Sequence, residues 1–158
     1  MNENEKPIDV AGSGYTYKAN KMVTIMGWGY TIGEVPLPSE IMYEVNIQLY
    51  DRDRCKNIIQ NAPRLDHNLP NFTENFFCAG PDREDSTVDS CKGDSGGPVV
   101  DKNLLIGIVS WGIEDTIIKC GVGFPGVYVS VWKFESWIHN VEEKQNEKIA
   151  TFKREPSR

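Results

Sequence analysis

The sequence predicts a domain built mainly of β-strands, with six short strands and one helix near the C-terminus. Short runs rich in β-branched and aromatic residues are separated by Gly and Pro, one stretch alternates with a period of two, and one late stretch has helical spacing. With 158 residues and 39% apolar composition, the chain can form one ordinary domain with its own core.

The first half of the chain predicts two strands and a short helix. Residues 1–20 are polar, lack periodicity and are interpreted as a lead-in segment. Residues 21–28 end at glycines and predict a strand, and residues 41–49 alternate apolar with polar side chains, which predicts a half-buried strand. Asp51 can cap a short helix through residues 55–59, because its carboxylate can accept the free N–H groups of the first turn.

The second half predicts the remaining strands and the terminal helix. Short strands are predicted at residues 75–79, at 99–100 and at 126–132, and the continuously apolar run at 104–111 predicts a buried strand. Residues 132–143 place apolar side chains near one helical face. The chain therefore predicts an all-β domain with a C-terminal helix.

Composition argues against two classes of partner. A net charge of −6 is unlike the basic surface of a nucleic-acid binder. The longest apolar run, residues 104–111, is far shorter than the roughly 20 residues that a membrane helix requires. We expect neither nucleic acid nor membrane as a partner.

The four cysteines favour disulfides over a metal site. They lack Cys-x-x-Cys spacing, and the chain has only two histidines, so we expect no metal and no cofactor. Four cysteines allow three pairings, and their spacing does not choose among them. The pattern Asn71-Phe72-Thr73 predicts a glycosylated surface loop at Asn71. These features favour a secreted protein, although residues 1–7 lack the pattern of a signal peptide, so we expect the natural N-terminus to lie upstream.

The stretch at residues 89–98, Asp-Ser-Cys-Lys-Gly-Asp-Ser-Gly-Gly-Pro, is interpreted as a nucleophile loop. Gly93, Gly96 and Gly97 surround the hydroxyl of Ser95, and glycine permits positive φ and close approach of a ligand. Backbone N–H groups freed by such a turn can stabilise an oxyanion. A glycine-rich surface turn with an incidental serine is the alternative that this stretch alone leaves open.

Five motifs in one order identify a resemblance to the trypsin-like serine proteases of the chymotrypsin fold, covering about residues 22–145. The resemblance implies a six-stranded antiparallel Greek-key β-barrel, the second barrel of that fold, with a C-terminal α-helix. It divides the chain into a lead-in segment from the region between the barrels (1–20), the C-terminal barrel (21–145) and a charged tail (146–158). The motifs are Met-Gly-Trp-Gly at 26–29, Phe-Cys-Ala-Gly at 77–80, the loop at 89–98, Val-Ser-Trp-Gly at 109–112 and Pro-Gly-Val-Tyr at 125–128.

The resemblance implies a role for each polar group of the loop. Ser95 would be the nucleophile, and the N–H groups of Gly93 and Ser95 would form the oxyanion hole. Asp94 would pair with an α-amino group released by an activating cleavage, one that does not come from Met1.

The resemblance also implies a specificity pocket. Asp89 would lie at its floor and select Arg or Lys, while Gly112 and Gly126 would leave room for a long side chain. Ser110, Trp111 and Gly112 would pair with the substrate backbone as an added strand.

Among the three possible cysteine pairings, the resemblance selects one. A third disulfide of the family is missing at both of its positions, one near Lys21 and the other near Asp101, so no odd thiol remains. The pairs that it implies are Cys55 with Cys78 and Cys91 with Cys120.

Three stretches depart from the family pattern. Residues 113–119 are longer than in trypsin, and Lys119 would lie at the pocket rim, where it could narrow or re-aim the pocket. The loop at 60–74 is also long. Residues 144–158 are dense in charge and predict a frayed helix end or a disordered extension.

The family's triad also needs a histidine and an aspartate, which the resemblance places on the other barrel, and no candidate for them precedes this segment. His67, in a polar loop, and His139, on the terminal helix, are expected to be structural or solvated. We therefore expect the isolated chain to be inactive.

Two functions follow from this pattern. The chain could be the second half of a secreted serine endopeptidase, with the missing N-terminal barrel, protease inhibitors and Arg- or Lys-containing protein substrates as partners. Alternatively, it could be a truncated non-catalytic homologue that binds peptides or partners through its pocket. Ser95 would then be a relic.

Overall fold

The structure is a computed structural model that describes residues 5–31, 37–62, 70–81, 88–113, 120 and 124–152, with side chains described as far as residue 147. It contains seven strands, two α-helices and one 3-10 helix. In chain order they are β1 (Asp9–Val10), β2 (Met22–Gly27), β3 (Tyr43–Leu49), α1 (Arg52–Asn61), β4 (Phe76–Gly80), β5 (Pro98–Asp101), β6 (Leu104–Trp111), β7 (Gly126–Ser130), the 3-10 helix Val131–Phe134 and α2 (Glu135–Phe152).

Six of the strands, β2 to β7, form a closed antiparallel barrel. Their order around the barrel is β2-β3-β4-β7-β6-β5, and β5 pairs with β2 to close the ring. Because each of these strands pairs with two neighbours, the ring has no fully open edge strand. The predicted six-stranded antiparallel barrel with a C-terminal helix is confirmed.

Alternation along the strands builds the core. Val23 and Ile25 point inward from β2, and Ile47 and Leu49 point inward from β3; none is more than 4% exposed. The aromatic rings of Phe77 and Tyr128 stack at the centre with centroids 5.4 Å apart. On β2 and β3 the period of two therefore buries one face, as expected, whereas β4 and β7 have several consecutive buried residues.

Helix α1 begins at the predicted cap. Asp51 accepts hydrogen bonds through Oδ1 from the N–H groups of Asp53 and Arg54, each at 3.0 Å, which satisfies two free donors of the first turn. Cys55 is fully buried on this helix and is bonded to Cys78 of β4. The disulfide fixes the helix against the barrel wall.

The lead-in segment contributes to the barrel. Strand β1 pairs in parallel with Leu104 and Leu105 at the start of β6. Ala11 is only 1% exposed, and Tyr15 and Tyr17 pack against the core. A two-residue strand has too few positions to show a period, so the sequence did not predict β1.

The C-terminal elements differ from expectation at their boundaries. Strand β7 ends at Ser130, and the 3-10 helix intervenes before α2 begins at Glu135, whereas the sequence predicted a strand to residue 132. Helix α2 continues through Phe152, further along the charged stretch than the predicted helix, and residues 153–158 lie outside the described part. None of the described helices is both long and apolar enough to cross a membrane.

A polar cluster of Tyr15, Lys21 and Asp101 lies at the position where the resemblance leaves a disulfide missing. The ammonium of Lys21 forms an ion pair with Oδ2 of Asp101, and the hydroxyl of Tyr15 donates to the same oxygen at 3.2 Å. The Lys21 nitrogen also lies 5.2 Å from the centroid of the Tyr15 ring. Burial, followed by the nearby Asp101 charge, raises the pKa of Tyr15 well above its ordinary value, so its hydroxyl remains a donor. The cluster joins the lead-in, β2 and β5 without a covalent bond.

Five large apolar side chains around the β2–β3 connection are exposed, and we call them the hairpin patch. The first residue of β3, Tyr43, belongs to it and is 50% exposed. The alternating pattern had predicted an inward position for this residue. Large apolar side chains that are exposed close together are typical of a surface that contacts another protein or domain. The patch consists of Trp28 (55% exposed), Leu37 (63%), Ile41 (62%), Met42 (51%) and Tyr43.

We expect the pair Lys21–Asp101 to be coupled by about 1 kcal/mol in a double-mutant cycle with Lys21→Met and Asp101→Asn, measured as the urea unfolding free energy. The Asp101 side chain is only 12% exposed, so solvent screens the pair incompletely. The control is the pair Lys133–Glu74, whose glutamate is 83% exposed and whose coupling should be near zero. Equal coupling in the two cycles would contradict the prediction.

We also expect the 158-residue chain to bind a hydrophobic dye such as anilinonaphthalene sulfonate, because the hairpin patch faces solvent. The double variant Leu37→Ser with Ile41→Ser should lower the dye fluorescence clearly. Val141→Ser on α2 removes an apolar side chain that is 39% exposed outside the patch and serves as the control. Dye fluorescence that falls equally in both would rule out a localised patch.

Candidate active site

The loop around Ser95 consists of two consecutive turns anchored to strand β6. The N–H of Asp94 donates to the carbonyl of Cys91 at 3.0 Å, and the N–H of Gly97 donates to the carbonyl of Asp94 at 2.8 Å. Gly96 N–H donates to the carbonyl of Val109, and Val109 N–H donates to the carbonyl of Gly97, each at 2.9 Å. The loop is therefore fixed at both ends.

Two glycines in the left-handed region flank the serine. Gly93 has φ of +96° and Gly96 has φ of +83°, values that side-chain-bearing residues rarely adopt. Ser95 lies between them and is exposed. The two turns therefore present its hydroxyl to solvent at the surface of the loop.

The backbone beside Ser95 has unused donors. Within the described part of the chain, the N–H groups of Gly93 and Ser95 have no hydrogen-bond acceptor. Free N–H groups next to a hydroxyl are the requirement for holding a developing oxyanion. The predicted positions of Gly93 and Ser95 are therefore compatible with that chemistry.

The carboxylate of Asp94 joins the loop to the end of β2. It accepts from Gly29 N–H at 2.7 Å through Oδ1 and from Cys91 N–H at 2.9 Å through Oδ2. A β-carbon at Gly27 would lie 2.0 Å from Oδ1, and one at Gly29 would lie 2.4 Å from the carboxyl carbon, so a side chain at either position would displace the carboxylate. Sequence reasoning used Met-Gly-Trp-Gly only as a motif and missed this role. The paired glycines after a strand were the available signal.

A first cavity of about 240 Å³ brings most of the predicted substrate-binding residues together. Ser95 lies on its wall, and Cys91 and Cys120 line it as well. The predicted residues around this cavity are Asp89, Ser95, Ser110, Trp111, Gly112 and Gly126.

Asp89 accepts several hydrogen bonds on this cavity's lining. The hydroxyl of Tyr128 donates to Oδ1 at 2.5 Å and the N–H of Ser90 donates to the same oxygen at 2.7 Å, while Gly126 N–H donates to Oδ2 at 2.9 Å. Desolvation by burial raises the pKa of Asp89 to about 6, and these hydrogen bonds only partly offset it. At neutral pH the carboxylate is mostly ionised, with a charge that lacks a cationic partner among the described residues.

The two predicted wall glycines differ in their surroundings. A β-carbon at Gly126 would lie 2.6 Å from the Tyr128 hydroxyl oxygen and 2.8 Å from Oδ1 of Asp89. A side chain at position 126 would therefore collide with the Tyr128 hydroxyl and the Asp89 carboxylate. A β-carbon at Gly112 would have no described neighbour within 4 Å and would extend into open space.

A second cavity, also of about 240 Å³, lies beside Asp94. Gly27, Gly29, Tyr30 and Val45 line it, together with Asp94 itself. The two cavities adjoin, because Asp89, Ser90, Cys91, Val109 and Cys120 line both, but Asp94 lines only the second and Ser95 only the first.

The structure contains the two disulfides that the resemblance implies. Cys55 and Cys78 have their Cα atoms 5.9 Å apart, and Cys91 and Cys120 have theirs 5.3 Å apart. The second pair braces the wall of the first cavity.

Ser95 has no base beside it within the described residues. His139 is exposed on α2, with Nδ1 3.6 Å from a carboxylate oxygen of Glu142, as expected of a solvated histidine. His67, Lys119 and the rest of residues 114–119 lie outside the described residues. Asn71 is described and exposed, and the described residues hold no cluster of metal ligands.

Comparison with known proteins gives a consistent result. The family model described as Trypsin matches residues 1–138. Trypsin eta of Drosophila erecta is 39% identical over 116 residues, which cover 73% of this chain and 39% of that protein. Trypsin Blo t 3 of Blomia tropicalis is 37% identical over 136 residues, covering 85% of this chain and 47% of that protein.

A solved structure gives the same fold. Neuropsin, described as a serine protease expressed in the limbic system of mouse brain, superposes with a TM-score of 0.73 at 26% identity, covering 90% of this chain and 56% of that one. The chain spans half or less of the length of the curated relatives it matches. With the family model matched over most of its residues, this chain belongs to the trypsin family of serine proteases.

Proposed function

We propose that this chain is the second half of a secreted serine endopeptidase that cleaves after Arg or Lys. The single observation that carries the proposal is that Ser95 and Asp89 line the same cavity. The exposed hydroxyl of Ser95 and the half-buried carboxylate of Asp89 suit a substrate whose cationic side chain enters this cavity while its backbone stays outside.

The chemistry assigned to Ser95 is acyl transfer. Its oxygen attacks the substrate carbonyl and its proton passes to a base, the amine leaves with a proton, and water then releases the acyl group. The free N–H groups of Gly93 and Ser95 support stabilisation of the oxyanion, and loss of one such donor typically costs about 3 kcal/mol. The base and its orienting acid are proposed to come from an N-terminal barrel outside these 158 residues.

Asp89 supplies the proposed selectivity. Its burial makes an unpaired charge costly, so a guanidinium or ammonium group that enters the cavity relieves that cost. A charge-assisted hydrogen bond of about 1.5–3 kcal/mol favours Arg or Lys over a neutral side chain by one to two decades. Trp111 and its neighbours on β6 are proposed to pair with the substrate backbone.

Asp94 is proposed to receive the α-amino group of an activated N-terminus. Among the described residues its carboxylate accepts two backbone N–H bonds, and it lines the second cavity, which supports a cationic third partner arriving through that space. Such an amine would tie activation to the loop that carries Ser95.

The hairpin patch supports an absent N-terminal barrel. Its five side chains are each at least 50% exposed, and one of them, Tyr43, also lines the second cavity. Relatives about twice as long contain chain that could cover it. Protease inhibitors that insert a basic side chain are the further partners expected of the first cavity.

The test of catalysis uses the protein extended to its full coding sequence, expressed through a secretory route and activated. A fluorophosphonate probe should label it at Ser95, and Ser95→Ala should abolish labelling and lower hydrolysis of an arginine peptide amide by roughly 10⁴-fold or more. The 158-residue chain alone should show no turnover, since a serine without a base is a weak nucleophile. An unlabelled full-length protein would instead favour the non-catalytic homologue that binds through its pocket.

Titration of Asp89 gives an independent test through binding of benzamidine, a small amidinium cation, to the full-length protein. Because only the ionised carboxylate attracts the cation and its pKa is about 6, the Kd should weaken about tenfold between pH 7 and pH 5. Asp89→Asn should bind weakly and without this slope, whereas Asp53→Asn on α1 should keep it. A pH-independent Kd in the unsubstituted protein would exclude Asp89 as the cation's partner.

The same pKa fixes the sign of a stability effect. The folded pKa of Asp89, about 6, exceeds the ordinary value of 3.8, so the folded state holds the proton more tightly. The contribution of Asp89 to stability is therefore largest at low pH and declines as the pH rises from about 4 to about 6. Asp89→Asn should remove this decline from the unfolding free energy measured against pH.

A further inference from the structure

We propose that Asn71 carries an N-linked glycan and that this glycan borders the substrate groove, where it limits access of large proteins to Ser95. The second part rests on the proposed function. Attachment at Asn71 does not depend on activity.

The acceptor is accessible. Asn71 and Thr73 are both exposed, and the middle residue of Asn71-Phe72-Thr73 is not proline. None of the hydrogen bonds among the described residues uses the Asn71 side-chain amide. The amide nitrogen that would carry the sugar is therefore free to react before or after folding.

Arg52 fixes the segment that carries the acceptor. Its guanidinium donates to the carbonyl of Thr73 at 3.0 Å and to the carbonyl of Phe76 at 2.9 Å, and its carbon lies 5.1 Å from the centroid of the Phe72 ring. The acceptor segment is thereby held against the start of α1 and β4. A glycan at Asn71 would leave the surface from a defined place.

A chain of aromatic rings connects this place to the groove. Phe72 stacks on Phe76 with centroids 6.4 Å apart, and Phe76 meets Trp111 edge to face with centroids 6.1 Å apart. Trp111 lines the cavity shared by Asp89 and Ser95. Phe72, the residue that follows the acceptor, is thus two ring contacts from the wall on which the substrate backbone is proposed to lie.

The expected consequence depends on substrate size. A short peptide occupies the cavity and lies along Ser110, Trp111 and Gly112. A glycan on the neighbouring loop leaves that space open. A folded protein covers surface beyond the groove and meets the bulky, hydrated sugar. The glycan would therefore act on choice among protein substrates while leaving the chemistry at Ser95 unchanged.

The attachment is tested on the full-length protein secreted from a eukaryotic cell. Peptide mapping after peptide-N-glycosidase treatment should find Asn71 converted to Asp, and Asn71→Gln should lose the glycan. Thr73→Ser keeps the required hydroxyl and should keep the glycan, whereas Thr73→Val, of similar shape, should lose it. An unmodified Asn71 in the secreted protein would overturn the proposal.

The groove part is tested by comparing the activated protein before and after glycan removal. Activity on an arginine peptide amide should stay unchanged, while kcat/KM on a folded protein substrate should rise at least about threefold. Equal changes for both substrates, or no change for either, would overturn the groove part. Inactivity toward both would overturn the proposed function and the groove part with it, while peptide mapping would still decide whether Asn71 is modified.

Discussion

The carboxylate of Asp94 is the contact on which the rest of the site depends. It accepts from the N–H of Gly29, just after β2, and from the N–H of Cys91 in the nucleophile loop. The bond to Gly29 joins residues that are 65 positions apart in the sequence. Glycine at 27 and at 29 leaves room for that link, because a β-carbon at either position would push the carboxylate out of its place. The loop that presents Ser95 therefore takes its position from the barrel strand opposite it. Side-chain-free backbone is what lets the two approach.

A second constraint concerns charge. Asp89 is a half-buried acid, and its hydrogen bonds come from uncharged donors: the hydroxyls of Tyr128 and Ser90 and two backbone N–H groups. Neutral donors hold a carboxylate in place without neutralising it, so its charge remains available to a visiting cation. The fold thus orients the Asp89 carboxylate and leaves its charge without a cationic partner among the described residues.

The sequence predicted the parts whose cause is local. The strands follow from alternation, as at Ile47 and Leu49, and the start of α1 follows from the side chain of Asp51. The ordered motifs led to the family and to the loop that carries Ser95, and they predicted Asp89 as the pocket acid. Features created by packing between distant segments were missed, because nothing nearby in sequence encodes them. Gly27 and Gly29 acquire their role only beside Asp94, and the ion pair of Lys21 with Asp101 appears only once β2 and β5 are adjacent.

The short parallel strand β1 has a consequence for the solubility of this half of the fold. Strand β7 pairs with β6 only from Gly107 onward, which leaves the backbone of Leu104 and Leu105 without a barrel neighbour on that side. Asp9 and Val10 cover those two residues, and Ala11 N–H adds a bond to the carbonyl of Leu105 at 2.9 Å. An uncovered edge of apolar strand is a template for pairing with another molecule. The polar lead-in thus acts as a guard against edge-to-edge aggregation, and a protein shortened to begin at the first barrel strand would lose it.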